Sequence, residues 1–303
     1  MPKKRQVYRR SKKTRQQVID PTYFVYGLMI GLFIVFAFLF SNVKLAKQTA
    51  KKEQVSIVAK ATPTQTPSPT LTPTPTPIPK PLGFCLYVPV LFYHHVQPQA
   101  QAAAKGQTSL SVDNGIFDGQ MQYLSSHGYN SITVEQLVTA LRTHSALPPK
   151  SIAITFDDGY NDNADFAAPI LSKYGLHANL MLATGLVGGS DYLSWDQIQN
   201  LKNQGWFFTD HTWSHYAINH GTTDKIQYEI LTAKQQIQDH LGQNVDIFTY
   251  PYGSFNNLSI QLLQQDGFVG AFTTNPGMYQ CENSIMALPR TRIGNAPLSA
   301  YGL

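Results

Sequence analysis

Two carboxylates stand side by side in "ITFDDGY", residues 154–160, and two histidines stand four apart in "DHTWSH", residues 210–215. Adjacent aspartates before a glycine read first as a turn, since Asp-Gly is a strong turn dipeptide. Here they end a run of strand-forming residues, and the histidine pair also follows a strand-like stretch, "GWFF" (205–208). A spacing of four lets His211 and His215 aim at one point if the segment takes a helical turn. Two imidazoles and one carboxylate form a ligand set for a divalent ion that leaves positions open to water and substrate. The second carboxylate is then free to take a proton from water. The pattern predicts one aspartate as ligand and its neighbour as base. For the histidine segment alone, a polar loop with capping hydroxyls is the alternative.

Such a set needs a scaffold that brings distant strand ends together. From about residue 83 the chain alternates strand-like and helix-like segments. "VPVLFYHHV" (88–96) reads as a buried strand, "FDGQMQYLSSHG" (117–128) as an amphipathic helix closed by Gly128, and "TVEQLVTALRTH" (133–144) as a helix capped by Thr133. Strand 151–156, helix 164–174, strand 178–182, helix 194–204 capped by Ser194, and strand 206–209 follow. Helix 224–241, strand 246–250, helix 257–266 and strands near 269–273 and 288–293 complete the series. Repeated βα units predict an α/β fold with a parallel sheet, open or closed into a barrel. In such folds chemistry gathers at the C-terminal ends of strands, where Asp157 and Asp158 fall.

With "YPYG" (250–253) added, "TFDDGY" and "HTWSH" stand in an order and spacing that resembles the polysaccharide deacetylase domain (NodB-homology, carbohydrate esterase family 4). The resemblance runs from about residue 87 to 293. It implies a distorted (β/α) barrel that removes acetyl groups from sugars. It also implies Asp157 as the base, Asp158, His211 and His215 as ligands of one divalent metal ion, and the backbone N–H of Tyr252 as an oxyanion donor. Zinc suits these ligands, and cobalt or nickel are admitted by the same donor set.

The chain departs from the family pattern in two places. The third motif usually begins with Arg two residues before its proline, where this chain has Thr249. An arginine beside the base would keep it ionised and oriented. "LPRTRI" (288–293) offers Arg290, the first choice, or Arg292, which points to the same strand face. The family also usually ends in a Leu-x-His motif, yet no histidine follows His240. "FYHHV" (92–96) instead resembles the branch of extracellular poly-N-acetylglucosamine de-N-acetylases in which the acid histidine comes from the first strand. His94 matches that position by motif. His95, its neighbour on a strand, should point the other way.

Cys85 and Cys281 are the only cysteines, and outside the cytoplasm such a pair permits a disulfide; two buried thiols are the alternative. Of the three tryptophans, Trp195 and Trp206 read as core, while Trp213, inside the ligand motif, is expected to line the cleft and stack on a sugar.

The first 82 residues carry no chemistry of this kind. Residues 1–60 hold 13 Lys/Arg against 2 acids, and residues 61–303 hold 10 against 16, so the net charge of +5 hides a basic end and an acidic domain. No basic patch with interleaved aromatics appears in the domain, which argues against nucleic acid. Residues 1–22 read as a basic cytoplasmic tail and 23–40, eighteen residues without a charge, as a transmembrane anchor. Eight basic residues before it against four shortly after predict a cytoplasmic N-terminus and an extracytoplasmic domain. A cleaved signal peptide is the alternative. Residues 41–82 form a linker whose Thr/Pro tract, 62–81, should be a polyproline II spacer of roughly 60 Å. The catalytic domain then covers 83–303. The expected activity is metal-dependent removal of N-acetyl groups from an extracellular or cell-wall amino-sugar polysaccharide. An O-acetyl esterase, or a silent glycan-binding module of the same fold, is the rival reading; an intact Asp-Asp-His-His set counts against the latter.

Overall fold

In the computed structural model residues 83–303 are described. The basic tail, the apolar stretch 23–40 and the linker 41–82 lie outside them. Among the described residues no helix is long and apolar enough to cross a membrane.

The elements run β1 (Cys85–Tyr87), β2 (Val90–Tyr93), β3 (His95–Val96), α1 (Gln99–Ala104), β4 (Ser111–Val112), α2 (Asn114–Ser126), β5 (Asn130–Ser131) and α3 (Val134–Thr143). Then come β6 (Ser151–Asp158), a π-helical turn (Asn163–Ala167), α4 (Ala168–Lys173), β7 (Asn179–Leu182), α5 (Trp195–Asn203), β8 (Phe207–Asp210) and α6 (Thr223–Leu241). The chain ends with β9 (Ile247–Thr249), α7 (Asn257–Gln265), β10 (Gly270–Phe272), β11 (Tyr279–Cys281) and β12 (Thr291–Arg292). Thr133 and Ser194 cap α3 and α5 as the sequence predicts, each in a reciprocal box with a glutamine three residues on. Each box satisfies two of the orphan donors of a helix start.

The main sheet has the order β10-β9-β8-β7-β6-β2-β12, wholly parallel, with β5 pairing the start of β6. It forms a half-barrel. A parallel bridge between Phe272 and Leu288 ties β10 to the segment that leads into β12.

Period-two alternation divides the strand side chains between two cores. Val90, Ala153, Met181, Ile247 and Phe272 pack with Val134, Leu137, Val138 and Leu141 of α3. Their neighbours Leu91, Ile152, Ile154, Leu180, Phe248 and Ala271 pack in the larger core with the other helices. Followed along the first of these faces, Ala153 gives way to Thr155 and Asp157, Val90 to Phe92 and His94, and Ile247 to Thr249. The same face is thus apolar at one end and polar at the other, and the polar end is where the strands stop.

Short elements at 99–104, 111–112 and 130–131 are added to those the sequence predicts, and two further features differ from the sequence reading. The strand expected over 88–96 breaks at His94, which is a bend between β2 and β3. The β1–β11 pair is not foreseen: the two strands lie antiparallel with Cys85 opposite Cys281, and a disulfide joins them.

Candidate active site

Asp158 is the last residue of β6, and its φ of 74° lies in the left-handed region. A regular strand would send neighbours Asp157 and Asp158 to opposite faces. The left-handed turn at Asp158 ends that alternation, and both carboxylates line one cleft. His211 and His215 follow β8, with Thr212 (φ 66°) and His215 (φ 59°) also left-handed. The Nε2 atoms of His211 and His215 lie 3.4 and 3.2 Å from the same oxygen, Asp158 Oδ1. That oxygen is buried and accepts no hydrogen bond. Tetrahedral ligands about 2.0–2.1 Å from a shared ion stand roughly 3.4 Å apart, so the three donors fit a metal of the zinc type. His211 Nδ1 donates to the Thr249 carbonyl at 2.7 Å, which leaves Nε2 as the unprotonated, ligating nitrogen. At His215 burial and the neighbouring His211 hold the imidazole below its usual pKa, favouring the neutral form that can ligate.

The turn that carries these histidines is held from α6. Glu229, fully buried, accepts from Ser214 N at 2.8 Å, Ser214 Oγ at 2.7 Å and Lys225 Nζ at 2.6 Å, and its carbonyl accepts from Trp213 N. Asp210 Oδ1 accepts from Thr212 N at 2.7 Å, and burial raises its carboxyl well above the usual range.

Asp157 has a different partner. Arg290, with no exposed surface, grips both its oxygens: Nη1 donates to Oδ1 at 2.6 Å and Nη2 to Oδ2 at 2.7 Å. Nη1 also reaches Thr155 Oγ1, Nε donates to the Thr273 carbonyl, and the guanidinium lies 4.5 Å from the Phe92 ring centre. Burial pushes the Asp157 carboxyl upward, but the charge and paired hydrogen bonds of Arg290 outweigh it and hold the group below the ordinary carboxylate range. Arg292 goes elsewhere: it is exposed and donates to the Ser109 carbonyl.

His94 and His95 part company at the bend. His94 lines the cleft, and burial lowers its pKa against the partly offsetting charges of Asp157 and Asp158. His95 is buried, with Nδ1 2.6 Å from Asp162 Oδ2 and its ring stacked on Tyr160. The segment after β6 fixes this bend: Asp162 Oδ1 accepts from Val96 N, and Asn163 Nδ2 donates to the His94 carbonyl at 2.9 Å. Asn163 opens the π-helical turn, a device often found beside functional sites.

The cleft has a volume of about 320 Å³, and Tyr160, Tyr192, Leu186 and Tyr252 contribute to its walls. Tyr252 is 69 % exposed and left-handed (φ 59°), so its ring stands at the mouth, 4.5 Å from the His215 ring. Trp213, expected in the cleft, does not line it. The close approach of its indole and carbonyl to Gly185 leaves no room for a Cβ there, and its ring meets Tyr228 edge-on. Glu229 and Asp162 escape the sequence reading. Glu229 does leave a signal, because an acid sits among Ile226, Ile230, Ala233 and Ile237 on the buried stripe of α6.

Residues 144–271 match the polysaccharide deacetylase family. YxkH of Bacillus subtilis, whose name places it among polysaccharide deacetylases, is 28 % identical over 206 residues, covering 68 % of this chain and 71 % of that protein. The poly-beta-1,6-N-acetyl-D-glucosamine N-deacetylase of Escherichia coli is 23 % identical over 248 residues, and the chain spans only 36 % of its length. A solved Streptococcus pyogenes deacetylase, PplD, in complex with acetate, superposes with a TM-score of 0.65 at 28 % identity, covering 69 % of this chain and 93 % of that one. Together with the two motifs around the cleft, these likenesses make residues 144–271 similar to a polysaccharide deacetylase domain in both sequence and fold.

Proposed function

We propose that this domain is a metal-dependent de-N-acetylase acting on an amino-sugar polysaccharide outside the cytoplasmic membrane. The observation that carries the proposal is the division of labour between neighbouring carboxylates. Asp158 offers an unpartnered buried oxygen to two imidazole nitrogens, while Asp157 is locked by Arg290 and turned away from that duty. A divalent ion held by Asp158, His211 and His215 would supply Lewis acidity toward the amide carbonyl and make water a better nucleophile. Asp157 takes the proton of the attacking water. Each carboxylate oxygen has two lone-pair directions, so the bidentate grip of Arg290 still leaves room for a water on either. The guanidinium keeps Asp157 ionised and fixes its plane. The N–H of Tyr252, by the family resemblance, is assigned to donate to the developing oxyanion, a contribution of about 10²- to 10³-fold where such donors have been removed. His94 gives a proton to the departing amine, which cannot leave as an anion.

The extracytoplasmic location rests on the apolar stretch 23–40 with its basic flank and on the disulfide, a bond that persists in oxidising compartments. The name of the Escherichia coli relative favours poly-N-acetylglucosamine as the first substrate to try. The test is acetate release by the purified full chain from poly-N-acetylglucosamine, chitin oligomers, peptidoglycan and acetylated xylan, each with zinc, cobalt or nickel supplied. Release from the amino-sugar polymers that chelator abolishes is the expected result. Release from xylan alone would make the protein an O-acetyl esterase, and chelator-resistant release would remove the metal from the scheme.

A further inference from the structure

Beside the catalytic cleft lies a second cavity of about 290 Å³, close to the lower end of the range that ligand sites occupy. The two share His94 and Leu110 on their walls, so the second cavity adjoins the first past His94. The second cavity is walled by Ser109, Ser111, Arg292, Ile293 and Tyr301, and none of its lining residues is acidic. Arg292 is paired in the sheet with Phe92, two residues before His94, which sets its side chain at the same rim. One of its donors is spent on the Ser109 carbonyl, and it makes no ion pair among the described residues. A guanidinium carries five N–H donors, so the rest of the fork remains available to an anion in the cavity. The Tyr301 hydroxyl accepts from Gly294 N and keeps its own proton to donate.

We propose that this cavity is a subsite for the sugar next to the one being deacetylated, and that Arg292 selects polymers in which that neighbour carries a carboxylate. The proposal rests on the deacetylase reading for its orientation. It specifies a polymer in which N-acetylated sugars alternate with acidic ones. A neighbouring amino sugar that has already lost its acetyl group would present an ammonium to Arg292 and be disfavoured. A charge-assisted pair of this kind is worth about ten-fold in affinity, weakening as salt screens it.

The experiment measures binding and turnover separately on the metal-loaded full chain. Two hexasaccharides are titrated: one alternating N-acetylglucosamine with glucuronate, the other of N-acetylglucosamine alone. The wild type is expected to bind the acidic oligomer about ten-fold more tightly. Arg292→Gln should abolish the preference, and Arg292→Lys should restore part of it. Equal binding of the two oligomers by the wild type, no binding of the acidic one, or an unchanged preference in Arg292→Gln would overturn the subsite. Acetate release from either oligomer is scored independently. Binding with the Arg292-dependent preference but without acetate release from any substrate would sustain the subsite and sink the deacetylase reading. Acetate release without that preference would do the reverse.

Discussion

At the end of β6 and in the turns after β8 and β9 the backbone that carries Asp158, His215 and Tyr252 is bent into the left-handed region, whereas toward β2 and β12 Asp157 and Arg290 stand on or beside regular strands and are held by a buried ion pair. Asp158, Thr212, His215 and Tyr252 all have positive φ, as do only two other non-glycine residues among those described, His144 and Lys150. Such conformations cost on the order of 1 kcal/mol or more each and persist where surrounding contacts over-determine them. The contacts here are those of Glu229, Asp210 and the Thr249 carbonyl. Opposite, Asp157 and Arg290 come from segments 133 residues apart and need no strained backbone, because the sheet itself delivers them to each other. One half of the site is made by short motifs, the other by topology.

The sharpest way to break this comparison is to exchange the fates of the two aspartates. Asp157→Asn is expected to cut turnover by about 10²- to 10⁴-fold with metal content unchanged, since it removes a base. Asp158→Ala, His211→Ala and His215→Ala should each lower retained metal, measured by elemental analysis of the purified protein. If Asp157→Asn emerged metal-free while Asp158→Ala stayed loaded, the roles would be reversed.

That division also explains what the sequence could reveal. The metal side was readable because "DD" and "HTWSH" carry their chemistry within a few residues, and because strand ends are where a parallel sheet places such groups. The scaffold was readable for a related reason: capping residues such as Thr133 and Ser194 and period-two runs are local. Arg290 against Arg292 could not be separated by alternation, since both share a face; only burial distinguishes the one under the cleft from the one at its rim. The β1–β11 pair was missed because three-residue strands nearly 200 residues apart have no local signature. Trp213 misled because a motif position does not fix a side-chain direction where the backbone turns left-handed on both sides, at Thr212 and His215.

The next test concerns the strand-built half. Removing Arg290 leaves Asp157 buried without its cation, and breaking such a pair typically costs about 3–5 kcal/mol. Arg290→Met should therefore lower the urea midpoint markedly at neutral pH. A midpoint within error of wild type would mean that the pair is not holding the sheet ends together. Arg292→Gln, exposed and outside any ion pair of the described residues, should leave stability within about 0.5 kcal/mol.

A smaller contrast lies within the bend itself. His94→Ala should reduce turnover by about 10²-fold and leave metal content intact, as expected for loss of a proton donor. His95→Ala removes the partner of Asp162 and should cost about 1–3 kcal/mol of stability, with a lesser effect on turnover. Loss of turnover in His95→Ala with near-wild-type His94→Ala would move the acid one residue along.

A modest change in metal affinity is expected at Glu229, and it sharpens the claim that the ligand side is held from behind. Three donors converge on this carboxylate: Ser214 N, Ser214 Oγ and Lys225 Nζ. Glu229→Gln keeps the shape but offers one acceptor oxygen instead of two, so an amide N–H must face a donor. Groups that position ligands from behind typically change metal affinity by 10- to 100-fold, and a value near ten-fold is expected here because an amide oxygen in the place of Oε1 still accepts from Ser214 Oγ and Lys225 Nζ. Burial raises the Glu229 carboxyl, but the hydrogen bonds from Lys225 and Ser214 outweigh it and leave the group below its usual value. A carboxylate whose folded pKa is depressed stabilises fully above its unfolded value, near about 4.3, and loses that contribution as pH falls through the folded value. The stability gap between wild type and Glu229→Gln should therefore be constant from about pH 6 to 7 and shrink below about pH 4. Metal affinity and the acid limb of the unfolding midpoint are measured on the same two proteins. A gap that stays constant into acid, or an unchanged metal affinity, would show that the turn bearing His215 holds its shape without α6.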